Sequence, residues 1–314
     1  MRVYLRKRLI SLIFVIIGAT ILSFILANIS PIDPAEAFAR RNSKIASNEQ
    51  IATIREEMGL NKPIIAQYFT WVSKITKADF GTSLVTNKSV ITEVKKLTPL
   101  TVKLVSFTMF LCVSLSIPLA IICVIYKNSL VDKCIRIVSL LGISIPSFWL
   151  GFILLYLFAV VFKVVPILNI TKTTSVYLPA ITLATPTIAS SIRLLRATML
   201  ENMNTDYVTY LRARGISQNK IIYKHVLKNS LAPVITVFGQ TIGYMVAGTA
   251  IVEQVFSWNG LGNYLLKAIL ARDLPVINAF VFLMAVVFVV FNLVADLINI
   301  MLNPQMVSHG DNKC

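Results

Sequence analysis

The sequence predicts an all-α membrane protein whose chain crosses the bilayer six times. Three observations carry that expectation. Of the 314 residues, 56% are apolar and only 14% charged, with a mean hydropathy of +0.75, whereas a soluble domain of this size needs far more polar surface. The apolar residues gather into runs of about 20 or more, long enough to cross roughly 30 Å of hydrocarbon. Backbone amides in lipid must pair within their own segment, so these runs are helices.

The first run, Leu9–Ile29, follows Arg2, Arg6, Lys7 and Arg8. Its 21 residues exceed the apolar core of a secretory signal, and Ile25 and Ala27 make a poor cleavage site, so residues 1–30 read as an uncleaved anchor. Residues 31–100 are the one long polar stretch, opened by the helix-stopping Pro31 and Pro34. Within it, Ser47 and Gln50 form a capping-box pattern ahead of Ile51, Ile54 and Met58, and Gly59 closes that helix. Pro63–Lys77 then places Tyr68, Trp71, Val72 and Ile75 on one face, as in a short amphipathic helix lying on the membrane or on other loops. Residues 101–302 hold the remaining spans: Val102–Ile125, Ile135–Phe162, Tyr177–Met199, Leu231–Val255 and Val276–Leu302. Residues 303–314 form a polar tail.

Charge orients the chain. With the N-terminus in the cytoplasm, the inner segments carry Lys127, Lys133, Arg136, Arg193, Arg196, Arg212, Arg214, Lys220, Lys224 and Lys228, and the C-terminus is cytoplasmic too. The two short outer loops hold only Lys163, Lys172, Lys267 and Arg272, in keeping with the positive-inside rule. The net charge of +16 is therefore spread over loops facing anionic lipid, and no basic domain for nucleic acid is present. Four cysteines and two histidines, His225 and His309, make neither a disulfide framework nor a metal site, and no cofactor is indicated.

The inner stretch 203–233 departs from a plain basic loop. Asp206 can cap one helix, Gly215 supplies a turn, and Ser217 can cap a second helix. Ile221, Ile222 and Val226 then form an apolar face between Lys220, Lys224 and Lys228. That pattern suits docking to a partner protein, and equally an interfacial helix on anionic lipid.

Tyr207-Val208-Thr209-Tyr210-Leu211-Arg212-Ala213-Arg214-Gly215, followed by His225-Val226-Leu227-Lys228-Asn229-Ser230-Leu231-Ala232-Pro233, resembles the EAA loop of bacterial ABC importer permeases, in the form of the peptide and nickel branch. Thr209-Tyr210-Leu211 stands where the family has Glu-Ala-Ala. Further stretches resemble the family along nearly the whole chain: Asp79-Phe80-Gly81-Thr82-Ser83, Ile145-Pro146-Ser147-Phe148-Trp149-Leu150-Gly151, Val252 to Gly262 with Asn259 in place of the usual proline, Asp273-Leu274-Pro275-Val276-Ile277, and the ending Asn303-Pro304-Gln305. The resemblance implies a type I importer permease bundle in a bacterial cytoplasmic membrane. Its partners would be a second homologous permease, two cytoplasmic ATPase subunits and an outer solute-binding protein. It also implies that Tyr207, Tyr210, Arg212, Ala213, Arg214, Gly215 and Pro233 couple the bundle to the ATPase. No Gly-rich phosphate loop followed by Lys and Ser or Thr exists here, so this chain is not itself an ATPase.

Polar residues inside the apolar runs are costly in lipid and mark a pathway or a packing lock. Asn292 and Asp296 share one face of the last span, either lining a path or with Asp296 paired to Arg193 or Arg196. Glu253 stands near the outer end of the fifth span, where it holds the outer loop or gates transport. Pro146 and Pro186 are expected to kink their helices, and Gly239, Gly243 and Gly248 to let helices approach closely. For the solute, the outer segment and Ser191 to Leu200 are most similar to nickel permeases, with a bare nickel ion less suited than a chelate, and di- or oligopeptides are the alternative. An ion-coupled secondary transporter would need an inverted repeat, and a membrane enzyme a cluster of reactive groups; neither is visible.

Overall fold

The computed structural model describes residues 2–29, 33–42, 47–164 and 176–302. Pro31, Lys172, His309, Cys314 and the ending Asn303-Pro304-Gln305 lie outside the described residues, as do the side chains of Arg2, Arg6, Lys7 and Arg8. Among the described residues the regular elements are all helices, apart from one isolated bridge between Thr82 and Ser89. In order the helices are α1 (Arg2–Ile29), α2 (Pro34–Asn42), α3 (Asn48–Glu57), α4 (Ile64–Ile75), α5 (Val90–Ile125), α6 (Leu130–Ser144), α7 (Ser147–Leu155), α8 (Tyr177–Asn202), α9 (Asp206–Ala213), α10 (Gln218–Lys220), α11 (Leu227–Val255), α12 (Leu261–Ala271) and α13 (Leu274–Leu302), with π-helical turns at Tyr156–Val161 and Ile221–Val226.

Three of these helices are long and apolar enough to cross a bilayer, namely α5, α8 and α13. The number rises to five if each of two bent pairs is one span: α6 with α7 and its π turn, and Gln218–Met245 with Gly248–Val255. The first expected span is helical over all 28 residues of α1, about 42 Å by helical rise. The third expected span, Ile135–Phe162, is not one rod. Its two arms meet at 102°, because Pro146 has no N–H to continue α6 and forces the preceding Ile145 into an extended conformation (φ −81°, ψ 123°). Pro186 behaves differently, since α8 runs through it without a break. Helix α5 begins twelve residues before the expected Val102, at Val90, and an unexpected helix, α12, fills much of the outer loop before the last span.

Two compact units divide the chain, and neither is contiguous in sequence. One comprises Met1–Leu5, Val102–Trp258 and Phe288–Cys314; the other comprises Arg6–Thr101 and Asn259–Val287. In the first, the core joins Leu195, Met199, Val208, Ile221, Val226 and Val234, all fully buried, with a second cluster around Leu104, Val252, Phe256 and Trp258. Glycines set the spacing between α11 and α13. A Cβ at Gly239 would stand 2.6 Å from the Cβ of Ala295, and one at Gly243 2.5 Å from Cδ2 of Phe288. Only hydrogen fits there, which is how small residues let helices associate in lipid. Gly248 has open space instead and plays no such part.

The second unit is held by aromatic contacts and polar clamps. The capping box at Ser47 forms as the pattern predicts, Gln50 N donating to Ser47 Oγ (3.2 Å) and Ser47 N to Gln50 Oε1 (3.0 Å), and Gly59 closes the turn at φ +68°. Arg55 and Asp33 form an ion pair. Tyr68, Trp71, Val72 and Ile75 do share the half-buried face of α4, and α4 rests on the first helix. Tyr68 and Trp71 stack on Phe24 at centroid distances of 5.5 and 5.6 Å, and the Tyr68 hydroxyl lies 3.0 Å from Oγ1 of Thr20.

Candidate functional site

The stretch 203–233 is anchored at both stems. Asn202, the last residue of α8, donates its side-chain amide to Thr198 O (3.0 Å) and to Ser230 Oγ (2.9 Å), tying the exit of α8 to the start of α11. The cap of α9 is Thr205 and not Asp206, which occupies the first helical position. There the Asp206 carboxylate suits the positive end of the helix dipole without capping it. Thr205 Oγ1 donates back to Asn202 O (2.6 Å). Ser217 is at the expected cap position of α10, though its side chain makes no capping bond.

The apolar face foreseen at Ile221, Ile222 and Val226 is not available to a partner. These residues are 0, 3 and 0% exposed and pack with Val208, Leu195 and Met199 in the core. A π turn over Ile221–Val226 directs them inward; the seam resets the helical phase just before α11, the kind of irregularity that often sits at functional positions. What remains exposed is the opposite side: Tyr210 (60%), Arg212, Ala213, Arg214 and Gly215, followed by Lys220, Tyr223 and Lys224. The Arg214 guanidinium lies over the Tyr210 ring at 5.5 Å, a cation–π contact that presents both groups together. Gly215 takes φ +72°, with its N–H donating to Arg212 O (2.9 Å). Tyr207 is half-buried, and its enclosed hydroxyl has no hydrogen-bond partner among the described residues. Thus the structure gathers six of the seven anticipated coupling residues on α9 and its closing turn. Pro233 stands apart, exposed inside α11.

The polar residues of the spans lie at two different levels. Asn292 is 7% exposed and turns its amide to Phe288 O (2.8 Å) within its own helix. It and the half-buried Asp296 flank Ala295, which faces Gly239. Glu253, fully buried, follows Gly239 by 14 residues, about 21 Å of helical rise. Near it the Glu253 carbonyl accepts from Trp258 N at 2.7 Å, closing the end of α11. Glu253 and the 206–215 turn therefore sit toward opposite ends of α11.

Arg196, considered as a partner for Asp296, is committed elsewhere. Its Nε and Nη2 donate to the two oxygens of Asp132 at 2.8 and 2.7 Å, a bidentate pair joining α6 to α8 with Asp132 fully buried. Sequence reasoning missed Asp132, although Ser129-x-x-Asp132 is a helix-start pattern: Asp132 N donates to Ser129 Oγ (3.4 Å) and Asn128 N to the Asp132 carboxylate (3.0 Å). A second missed group is Asp273, 1% exposed, which accepts from Ser83 Oγ (2.5 Å), Leu84 N (3.1 Å) and Val85 N (3.3 Å). Both segments had been singled out separately, and the carboxylate is what joins them. Close by, burial pushes the phenol of Tyr264 up to about 12, with the Asp273 charge adding to the rise.

The described residues form a helical bundle with a basic, aromatic turn anchored between two long helices, and family models identify the kind of membrane protein this is. Residues 116–308 match the model described as binding-protein-dependent transport system inner membrane component, and residues 1–105 match the model of its N-terminal region. The chain belongs to this family of ABC importer permeases. Relatives of this permease include the oligopeptide transport system permease protein AppB of Bacillus subtilis, 33% identical with 98% of this chain and 99% of the relative aligned. The dipeptide transport system permease protein DppB of Alkalihalophilus pseudofirmus is also 33% identical over the same shares. The metal-staphylopine import system permease protein CntB of Staphylococcus aureus is 32% identical, over 96% of this permease and 97% of its own length. The family is one of inner-membrane components, so this permease is a membrane subunit of an importer.

Proposed function

We propose that the 206–215 turn is the lever by which two cytoplasmic ATPase subunits drive this permease, paired with a second homologous permease and supplied by an outer binding protein. One observation carries the reading: Val208 and the Ile221–Val226 turn are sunk in the core while Tyr210, Arg212, Ala213, Arg214 and Gly215 face out. A push on the exposed side is transmitted through packed side chains to α8 and α11, since close-packed interiors carry strain. On this reading the chain has six spans with both termini in the cytoplasm, and ATP chemistry belongs wholly to the partners.

Gly215→Pro tests the lever. Proline holds φ near −65° and cannot occupy a turn at φ +72°. ATP hydrolysis by the reconstituted complex should persist while solute uptake falls by at least tenfold; uptake coupled as in the wild type contradicts the role. Vesicles holding this chain alone should accumulate nothing under an ion gradient.

The solute on this reading is a short peptide or a small metal chelate. The names of the relatives span oligopeptide, dipeptide and metal–staphylopine import. A transition metal such as nickel would on this reading travel inside a ligand of its own, in keeping with the name of the metal-staphylopine relative. Measuring which of dialanine, free nickel and chelated nickel the partner binding protein retains decides between them.

A further inference from the structure

The unit built from Arg6–Thr101 and Asn259–Val287 contains a cavity of about 420 Å³, within the range that encloses a small organic ligand. Its wall is of two kinds. Phe24, Trp71 and Phe80 supply an apolar and aromatic surface, with Phe24 and Trp71 in ring contact. Around it stand Glu57 and Asp79, and Lys62 and Lys74, two charges of each sign. None of these four is held in an ion pair among the described residues.

One buried polar group also reaches the wall. Asn278 is 6% exposed, and its Oδ1 accepts from Ser23 Oγ at 2.9 Å. In this arrangement the amide nitrogen, a donor with two hydrogens, has no protein acceptor among the described residues, and Asn278 lines the cavity. A donor at a cavity wall that no protein acceptor takes is open to a ligand or a bound water. Gly59 contributes in another way. At φ +68°, with nothing within 4 Å of where a Cβ would stand, it keeps the turn after α3 open at the cavity.

We propose that this cavity binds a small zwitterion with an apolar side chain, of the class of a free dipeptide. Its carboxylate is received by the Asn278 amide and a lysine, its ammonium by Glu57 or Asp79, and its side chain rests on Trp71 and Phe24. Separate charges of both signs around an aromatic floor match a ligand that carries both signs on one short body, whereas an anion or a cation alone would leave half of the wall repelling it. The assignment rests on the importer reading given above, and adds to it a site on the permease itself.

The test is equilibrium binding of labelled Ala-Phe to the complete importer complex in nanodiscs, without the binding protein. The free dipeptide should bind, and N-acetyl-Ala-Phe-amide, which lacks both charges, at least tenfold more weakly. Asn278→Leu and Thr70→Trp should each weaken binding of the free dipeptide by at least tenfold; Thr70 is exposed on α4 and lines the cavity, so filling from there leaves the core alone. Equal binding of free and blocked dipeptides, no binding of either, or full binding by a folded Thr70→Trp complex would each overturn the site. ATP-driven uptake with the binding protein present is measured in parallel. Intact uptake with no binding at the cavity removes this proposal alone, while absence of ATP-driven uptake of both a dipeptide and chelated nickel removes the importer reading.

Discussion

The two units are ordered by different means. The unit that carries the 206–215 turn relies on close packing: fully buried Leu195, Met199, Val208 and Val226, glycines that admit no Cβ, and one bidentate ion pair. The unit that carries the polar stretch adds directed hydrogen bonds to an apolar core around Val90, Val276 and Phe280, with three donors on Asp273, Ser23 on Asn278, and Leu261 N on Thr101 Oγ1 at 2.8 Å. Both units contain apolar spans, most of α1 and the first half of α13 falling in the second, so the contrast belongs to the polar stretch within it. Between helices in lipid there is little hydrophobic gain, because hydrocarbon tails are as apolar as leucine, so contact quality and rare polar locks select the arrangement. A short, polar, mostly non-repetitive segment must instead satisfy its backbone groups individually, and a buried carboxylate does so for several amides at once.

Five single substitutions and one double variant sharpen or break that contrast. The largest effect is expected at the ion pair. Arg196→Ala leaves Asp132 buried and uncompensated, and should lower the stability of the purified permease by about 3–5 kcal/mol in thermal unfolding. The double variant Asp132→Leu, Arg196→Met should recover most of that loss; a single variant within about 1 kcal/mol of wild type would mean that the pair is not a lock. Asp273→Ala should cost about 2–3 kcal/mol by stranding its donors, and the loss should be local. Amide exchange should rise over residues 81–90 and stay unchanged over 206–226, and an equal rise in both stretches would dissolve the distinction between the units.

Gly243→Ala places a methyl group 2.5 Å from Phe288. It should cost about 1–2 kcal/mol after allowing for the better helix propensity of alanine, whereas Gly248→Ala, in open space, should be neutral or slightly stabilising. Similar melting temperatures for the two variants would remove packing as the reason for these glycines. The smallest effect concerns Tyr264. Its folded pKa stands above the ordinary value of 10, so the stability linked to the neutral phenol is complete below pH 10 and fades as pH rises toward about 12. Tyr264→Phe should flatten that alkaline decline, and an unchanged profile would show the burial to be without consequence.

Much of the fold was legible because apolar length speaks directly in a membrane protein. The apolar centres of the long helices, the capping box at Ser47 and the half-buried face of α4 follow from local pattern alone, whereas the start of α5 at Val90 does not. The elbow at Pro146 was legible as a kink but not as a turn of 102°, since proline frees a hinge and neighbours decide its angle. Partners distant in sequence were not legible. Asp132 and Arg196 are 64 residues apart, and Ser83 and Asp273 are 190 apart, and no periodicity links them. The reversal at Ile221, Ile222 and Val226 has a similar cause: spacing identifies a face but not whether the chain's own core or a partner covers it. Among the candidate site residues, the grouping of Tyr207 to Gly215 was local and visible, while the distance between Glu253 and the pair Asn292 and Asp296 depended on which helices pack together.

Gly215 carries one more lesson. Its neighbourhood is empty, so no side chain is refused there for want of room; what is refused is handedness. An L-residue at φ +72° costs about 1–2 kcal/mol, and only the achiral residue, or a D-amino acid, is at ease. A D-alanine introduced by semisynthesis should therefore keep the angle between α9 and α10 where glycine sets it, while L-alanine, the same size to the atom, should not. The geometry of this turn is held by the mirror symmetry of a single backbone unit.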